Sequence, residues 1–199
     1  SRLKDELPFQ WVMADDEFGR SQAFRDAVAD AGKYYVVDVP SDTQFRLIKP
    51  SGIVRNKVWT AAKFANAQPG SRWTYFHVRD GEKGPIEVRA FMEPVSTKRK
   101  NGRAQEVLVV IESTDGSDRS YSLGKADEGT TLEEFVRRRG QRHRIEDVFE
   151  EAKGEVGLDH YEVRSWHGWH HQMTLCQISH WFLVREKRRL GEKNRRPDC

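Results

Sequence analysis

Residues 10–39, with the sequence QWVMADDEFGRSQAFRDAVADAGKYYVVDV, contain the pattern that decides the fold class. The apolar run QWVMA at 10–14 predicts a buried strand that ends just before Asp15. Apolar residues recur at helical spacing over 21–31, and the β-branched and aromatic run at 34–39 predicts a second strand. A strand, a helix and a strand in this order form a βαβ unit. We therefore expect an α/β fold in which these two strands are parallel neighbours in a covered sheet.

The middle of the chain, residues 43–126, changes to a pattern of strands and turns. Strand-like runs occupy residues 86–95, 106–113 and 119–123, and turn-rich segments separate them. This pattern predicts an antiparallel β-rich subdomain. Residues 57–70 are ambiguous and are compatible with one short helix.

The last third of the chain is helical in pattern. Thr131 and Glu134 have the spacing of a capping box, and the helical pattern continues through residues 132–156 despite two glycines. A final helix is predicted from about residue 169 to about residue 188, with apolar residues on one face.

Composition limits the class of protein. The 199 residues fit one domain, or one domain with an embedded subdomain, and 37% of them are hydrophobic. The apolar runs are far shorter than the roughly 20 residues that span a bilayer, so we expect no membrane association. No export signal is recognisable, and the two cysteines, Cys176 and Cys199, cannot form a disulfide framework. These features favour the reducing cytoplasm.

Basic residues are concentrated in two segments although the net charge is only +3. Five arginines lie within residues 137–144, and seven basic residues lie within 185–196. Such clusters attract phosphate backbones. The alternative is a solvated helix face followed by a frayed tail.

One predicted helix face carries a candidate catalytic group. Arg142, Glu146, Glu150 and Lys153 fall within about 80° of one another at roughly 100° per residue, beside an apolar stripe. A carboxylate between two cations suits a metal ligand whose neighbours hold phosphate. The alternative is an ordinary amphipathic helix with an Arg–Glu pair four residues apart.

Asp15 supplies a second candidate carboxylate. It follows the end of a predicted strand, where open α/β sheets place ligand groups. Carboxylate oxygens bind Mg²⁺, and a pair of metal ions about 3.5–4 Å apart promotes in-line phosphoryl transfer. The alternative is that Asp15 or Asp16 caps the helix that follows.

Two segments resemble bacterial insertion-sequence DDE transposases of the insertion-sequence four and seven-hundred-one groups. The stretch RIEDVFEEAKGEVGLDHYEVRSWHGWHHQMTLCQISHWFL at 144–183 resembles the C-terminal part of their catalytic domain, and ADDEFG at 14–19 resembles their second-aspartate region. The family signature Y-x2-R-x3-E-x6-K places its last three residues at Arg142, Glu146 and Lys153.

The resemblance implies an RNase H-like catalytic core with a β-rich insertion. It divides the chain into a second-aspartate part at 1–42, the insertion at 43–126, the glutamate helix and C-terminal helices at 127–190, and a basic tail at 191–199. In this family a glutamate and two aspartates hold Mg²⁺ or Mn²⁺, which here implies Asp15 and Glu146. The implied function is transposition by metal-dependent cleavage and transfer of DNA strands. Its partners would be double-stranded transposon ends and target DNA, with a homodimer in the synaptic complex.

The family pattern also assigns residues that contact DNA. Arg142 and Lys153 correspond to the residues that bind transposon ends; Arg139 is a further DNA-binding candidate, and Arg164 is expected to brace the site or contact DNA. Trp73, or alternatively Trp59, could stack on a flipped base in the way that related transposases use an aromatic residue. Packing in the core is the more common role of tryptophan.

Two departures from the family pattern leave the catalytic status open. Arg139 occupies the tyrosine position of the signature, and the first aspartate of the family belongs to an earlier strand for which Asp5 is a poor substitute. We therefore expect the first strands of the core to be missing and the catalytic domain to be truncated. The competing hypotheses are a non-catalytic DNA-binding fragment and an unrelated β-rich interaction domain.

Four histidines form a cluster late in the chain, close to Asp159. They could form a zinc site, but no cysteine pair accompanies them, and roles at an interface or facing DNA are favoured. These histidines are His160, His167, His170 and His171.

Overall fold

The computed structural model describes residues 9–81, 84–162 and 164–194. The chain forms two compact units, Ser1–Arg142 and His143–Cys199. Asp5, Cys199 and the last arginines of the predicted tail lie outside the described residues.

Within the described part of the first unit, eight strands form one mixed sheet. Their order is β1-β2-β8-β7-β6-β3-β4, and β5 pairs with β6. The strands are β1 (Trp11–Ala14), β2 (Tyr34–Asp38), β3 (Gln44–Ile48), β4 (Val54–Thr60), β5 (Thr74–Gly81), β6 (Gly84–Arg99), β7 (Gly102–Ser113) and β8 (Arg119–Lys125).

The parallel pair predicted at the start of the chain is confirmed. β1 and β2 are parallel, in a register that runs from Trp11↔Tyr34 to Ala14↔Val37. The connection contains two helices, α1 (Asp16–Arg20) and α2 (Gln22–Asp30), where the pattern predicted one. Ser21 separates them, because its backbone N–H donates to the carbonyl of Phe18 while its side chain caps α2.

The strands of residues 43–126 extend the same sheet, since β8 pairs antiparallel with β2. The three predicted strands are confirmed as β6, β7 and β8, and the ambiguous segment contains α3 (Ala61–Asn66). All pairings among β3 to β8 are antiparallel. The separate insertion subdomain stays a prediction.

The helical pattern of residues 132–156 is divided in the structure, so the prediction of one continuous helix is wrong. α4 (Leu132–Gln141) ends at Arg142, whose N–H donates to the carbonyl of Arg139 at 3.1 Å, three residues back. α5 (His143–Val156) and α6 (Trp166–Asn194) follow. The Thr131 half of the predicted capping box is confirmed, because the N–H of Glu134 donates to Thr131 Oγ1 at 3.2 Å, and the Glu134 carboxylate accepts from Arg137 and Arg138.

Both faces of the central strands are covered. Leu108 and Val110 of β7 pack in a cluster that includes Phe64 of α3. The alternate residues Val109 and Ile111 pack in a second cluster that includes Phe135 of α4. Successive side chains of β7 therefore point into two different cores, one on each face of the sheet. α3 packs on one face and α4 on the other.

In the described residues, no helix has both the length and the hydropathy that crossing a bilayer requires.

Candidate active site

Two aspartates lie at the carboxyl ends of the parallel strands. Asp15 directly follows β1, and Asp38 is the last residue of β2. The register pairs Ala14 with Val37, so each aspartate stands one residue beyond the last pair. Since parallel strands end at the same edge, Asp15 and Asp38 belong to one edge of the sheet, the place where α/β folds position ligand groups.

Asp15 is also the N-cap of α1. Its Oδ1 accepts a hydrogen bond from the N–H of Phe18 at 3.4 Å, and the residue is half-buried. The sequence left two roles open for this aspartate, a strand-end ligand and a helix cap. The cap is present, but the hydrogen bond is long and therefore weak, and it uses only one of the two carboxylate oxygens.

Asp38 is the centre of an ion-pair cluster that the sequence did not reveal. Its carboxylate accepts a hydrogen bond from Ser122 Oγ at 2.7 Å. The guanidinium of Arg139 approaches it at 3.2 Å and that of Arg142 at 3.7 Å. Two residues expected to bind DNA are thus held at the end of β2, with 27% of the Arg139 side chain and 32% of the Arg142 side chain exposed.

The short helix α1 packs directly on the backbone of Asp38. Gly19 is buried, and a Cβ at this position would overlap the carbonyl oxygen of Asp38. Only glycine allows this approach. This contact fixes α1, the helix that Asp15 caps, in place against the end of β2.

Glu146 and Lys153 belong to the second unit. Glu146 lies in the first turn of α5, Lys153 lies in its last turn, and both are exposed. Arg164 is exposed in the segment before α6. The four residues that the pattern placed on one helix are therefore divided, with Arg142 at the end of α4 and the other three on α5.

Polar contacts join α5 to α6. Glu151 accepts from Lys187 Nζ and lies 3.1 Å from His180 Nε2. The hydrogen bond from Lys187, followed by that involving His180, lowers the pKa of the Glu151 carboxyl. Cys176 is buried, and its thiol donates to the carbonyl of Val156 at 3.2 Å.

Trp73 lies in a buried environment. It is 9% exposed, and its ring packs edge-on against Phe91 at 4.8 Å between centroids. The guanidinium of Arg89 lies 4.8 Å from the ring centroid. This is the environment expected for core packing, and base stacking by Trp73 or by the half-buried Trp59 stays a prediction.

The histidines of the second unit contact aromatic rings and a neighbouring carboxylate. His170 packs edge-on against Trp166 at 4.1 Å and against Trp169 at 4.9 Å. His160 lies 3.7 Å from Asp159. Across residues 9–81, 84–162 and 164–194, no three His, Cys, Asp or Glu side chains form a metal-binding group.

A comparison with protein families identifies the class. The model of the family described as Transposase DDE domain matches residues 2–182. The chain therefore belongs to the transposase DDE domain family, which confirms the resemblance to insertion-sequence transposases at the level of the family. A comparison with curated proteins finds no match.

Proposed function

We propose that the chain acts in DNA transposition, by metal-dependent cleavage and transfer of DNA strands. The observation that carries this proposal is the match to the transposase DDE domain over residues 2–182. Asp15 and Glu146 are the proposed metal ligands. The position of Asp15 at the carboxyl end of a parallel strand supports its assignment.

The chemistry of the proposed ligands fits Mg²⁺ or Mn²⁺. Both groups are carboxylates, whose hard oxygens these ions prefer. Asp15 uses one oxygen in its long helix-capping bond, and Glu146 is exposed on α5. When bound, a pair of such ions supplies the positive charge that stabilises the attacking and leaving oxygens of an in-line displacement.

Basic side chains would hold the DNA. Arg139 and Arg142 are oriented by Asp38, and each guanidinium has five donors in a planar fork suited to phosphate. Lys153 and Arg164 provide further cationic groups on the second unit. The proposed partners are double-stranded transposon ends and target DNA, held by a homodimer.

A cleavage assay with matched variants tests this function. The substrate is duplex DNA that carries the sequences flanking the coding region, incubated with the full chain in Mg²⁺ or Mn²⁺. Asp15→Asn and Glu146→Gln should each lower the cleavage rate by at least about 100-fold, because each removes a charged ligand. Asp16→Asn and Glu150→Gln change neighbouring carboxylates and should cleave at close to the wild-type rate.

The same preparations give a second measurement, the affinity for duplex DNA as a function of salt. We expect Asp15→Asn and Glu146→Gln to retain DNA binding and its salt dependence. Salt-dependent binding without any metal-dependent cutting by the unaltered chain would overturn the enzymatic proposal and support a non-catalytic DNA-binding role. An absence of salt-dependent binding would contradict both.

A further inference from the structure

The face of the sheet that carries α1 and α2 contains a buried carboxylate between two arginines. The Glu106 side chain is fully buried on β7. It accepts a hydrogen bond from Arg25 Nε at 3.0 Å, and Arg99 Nη2 lies 3.0 Å from the same oxygen. Tyr35 donates its hydroxyl to this oxygen at 2.6 Å, and Thr97 donates to the other. Burial, together with the charge of Glu106, raises the pKa of Tyr35, so the hydroxyl remains a donor.

Arg25 connects this cluster to α1. Its Nη1 donates to the carbonyl of Gly19, while its Nε is bonded to Glu106. The N–H of Gly19 in turn donates to the carbonyl of Asp15 at 2.9 Å. One planar guanidinium therefore joins the buried carboxylate on β7 to α1, the helix that Asp15 caps.

The five residues of α1 cannot fix their own position. A helix this short has few internal hydrogen bonds, and its nucleation is unfavourable without tertiary contacts. Two contacts supply the constraint, the close approach of Gly19 to Asp38 and the bond from Arg25 to Gly19. Hydrogen bonds of a buried, charged network are stronger than those in water and hold a defined geometry.

We propose that Arg25 and Glu106 are positioning residues that hold α1 against the end of β2 and thereby orient Asp15 for metal binding. The metal part of this inference rests on the proposed function, whereas the effect on α1 does not. The proposed role requires arginine at position 25, because its planar guanidinium bonds Glu106 through Nε and Gly19 through Nη1. A lysine has a single nitrogen and could not reproduce this geometry.

The chain contains a matched control on the same strand. Glu112 of β7 is a second buried carboxylate between two arginines, with its side chain 4% exposed. It accepts from Arg89 Nε at 2.5 Å and from Arg119 Nε at 2.7 Å. Burial raises the pKa of Glu112, but the hydrogen bonds from Arg119 and Arg89 outweigh it, and the pKa is lowered. Its arginines bond to Glu112 rather than to α1, so a loss of this cluster should destabilise the fold without moving Asp15.

The experiment compares Glu106→Gln, Arg25→Lys and Glu112→Gln in the full chain, under conditions where each variant is folded. Hydrogen exchange without metal reports on α1 through the amide of Gly19. Iron-dependent chain cleavage reports on metal binding: Fe²⁺ replaces Mg²⁺, and ascorbate with peroxide generates radicals that cut the backbone beside the bound ion.

We expect Glu106→Gln and Arg25→Lys to speed exchange at Gly19 by about tenfold or more relative to core amides, and Glu112→Gln to leave this ratio unchanged. We also expect the first two variants to weaken the iron-dependent cut near residues 14–20, which Glu112→Gln should retain. Equal exchange ratios in all three variants would overturn the inference. If the unaltered chain shows no iron-dependent cut there, metal binding at Asp15 in the proposed function fails, while the exchange data still decide the positioning role.

Discussion

Gly19 is the residue at which α1 meets β2. A side chain here would overlap the carbonyl oxygen of Asp38, and β2 cannot retreat without disturbing its pairing with β8. Gly19→Ala should therefore destabilise the fold by about 1–3 kcal/mol, the usual cost of overpacking. Urea denaturation measures this change in the free energy of unfolding.

Gly154 is the control for that substitution. It lies within α5, and a Cβ at this position would meet nothing within 4 Å. Gly154→Ala should stabilise the protein by about 0.5–1 kcal/mol, because alanine favours the helix. Similar effects of the two substitutions would show that Gly19 has no special packing role.

Only part of the candidate site could be predicted at the level of residues. The rule that selected Asp15, a carboxylate after a strand, did not select Asp38, because the predicted strand ran to residue 39 whereas β2 ends at Asp38. Arg139 is 101 positions from Asp38 in the sequence, and their ion pair exists only because α4 packs on the sheet. Gly19 gave no signal either, since the requirement for glycine comes from the backbone of another strand.

At the scale of elements, the pair of helices α5 and α6 should depend on pH through Glu151. The contacts with Lys187 and His180 lower the pKa of Glu151 in the folded state. The ionised carboxylate is therefore favoured on folding, and its contribution is complete above the unfolded pKa of about 4.3. This contribution to stability is lost as the pH falls through the lower pKa that Glu151 has in the folded state.

The measurement for this prediction is the free energy of unfolding from pH 7 to pH 3, for the unaltered chain and for Glu151→Gln. The difference between them should be constant near neutral pH and should shrink as the pH falls below the unfolded pKa. Glu150→Gln, on the same helix, should show a smaller pH-dependent difference. A difference that does not change with pH would contradict the role of the ionised carboxylate.

The sequence indicated most elements and missed the divisions between them. The divisions at Ser21 and Arg142 coincide with local hydrogen bonds of one or two residues, to which periodicity over a long window is insensitive. β3, β4 and β5 were not predicted as strands; Val54–Thr60 of β4, for example, is exposed over much of its length and lacks apolar alternation. β7 was recognised because both of its faces are buried, which gives a continuous apolar run at Val107–Ile111.

At the scale of the whole chain, the order of strands follows from contacts between distant segments. β8 lies beside β2, and the bond between Ser122 and Asp38 spans 84 positions. The βαβ pattern predicted the parallel pair, but nothing local indicates which strand of the later series covers the open edge of β2. The family match shows a transposase DDE domain, and the pairing of β1 with β2 places Asp15 at the carboxyl end of a parallel strand.

The most direct test of the central claim, that Asp15 holds the catalytic metal, is a metal-preference measurement with Asp15→Cys. Sulfur binds Mg²⁺ poorly and is a better ligand for Mn²⁺. We expect Asp15→Cys to lose DNA cleavage in Mg²⁺ and to recover a substantial part of it in Mn²⁺, while Asp16→Cys cleaves normally in both. Cleavage by Asp15→Cys at the wild-type rate in Mg²⁺, or an equal loss with both metals, would contradict metal binding by Asp15.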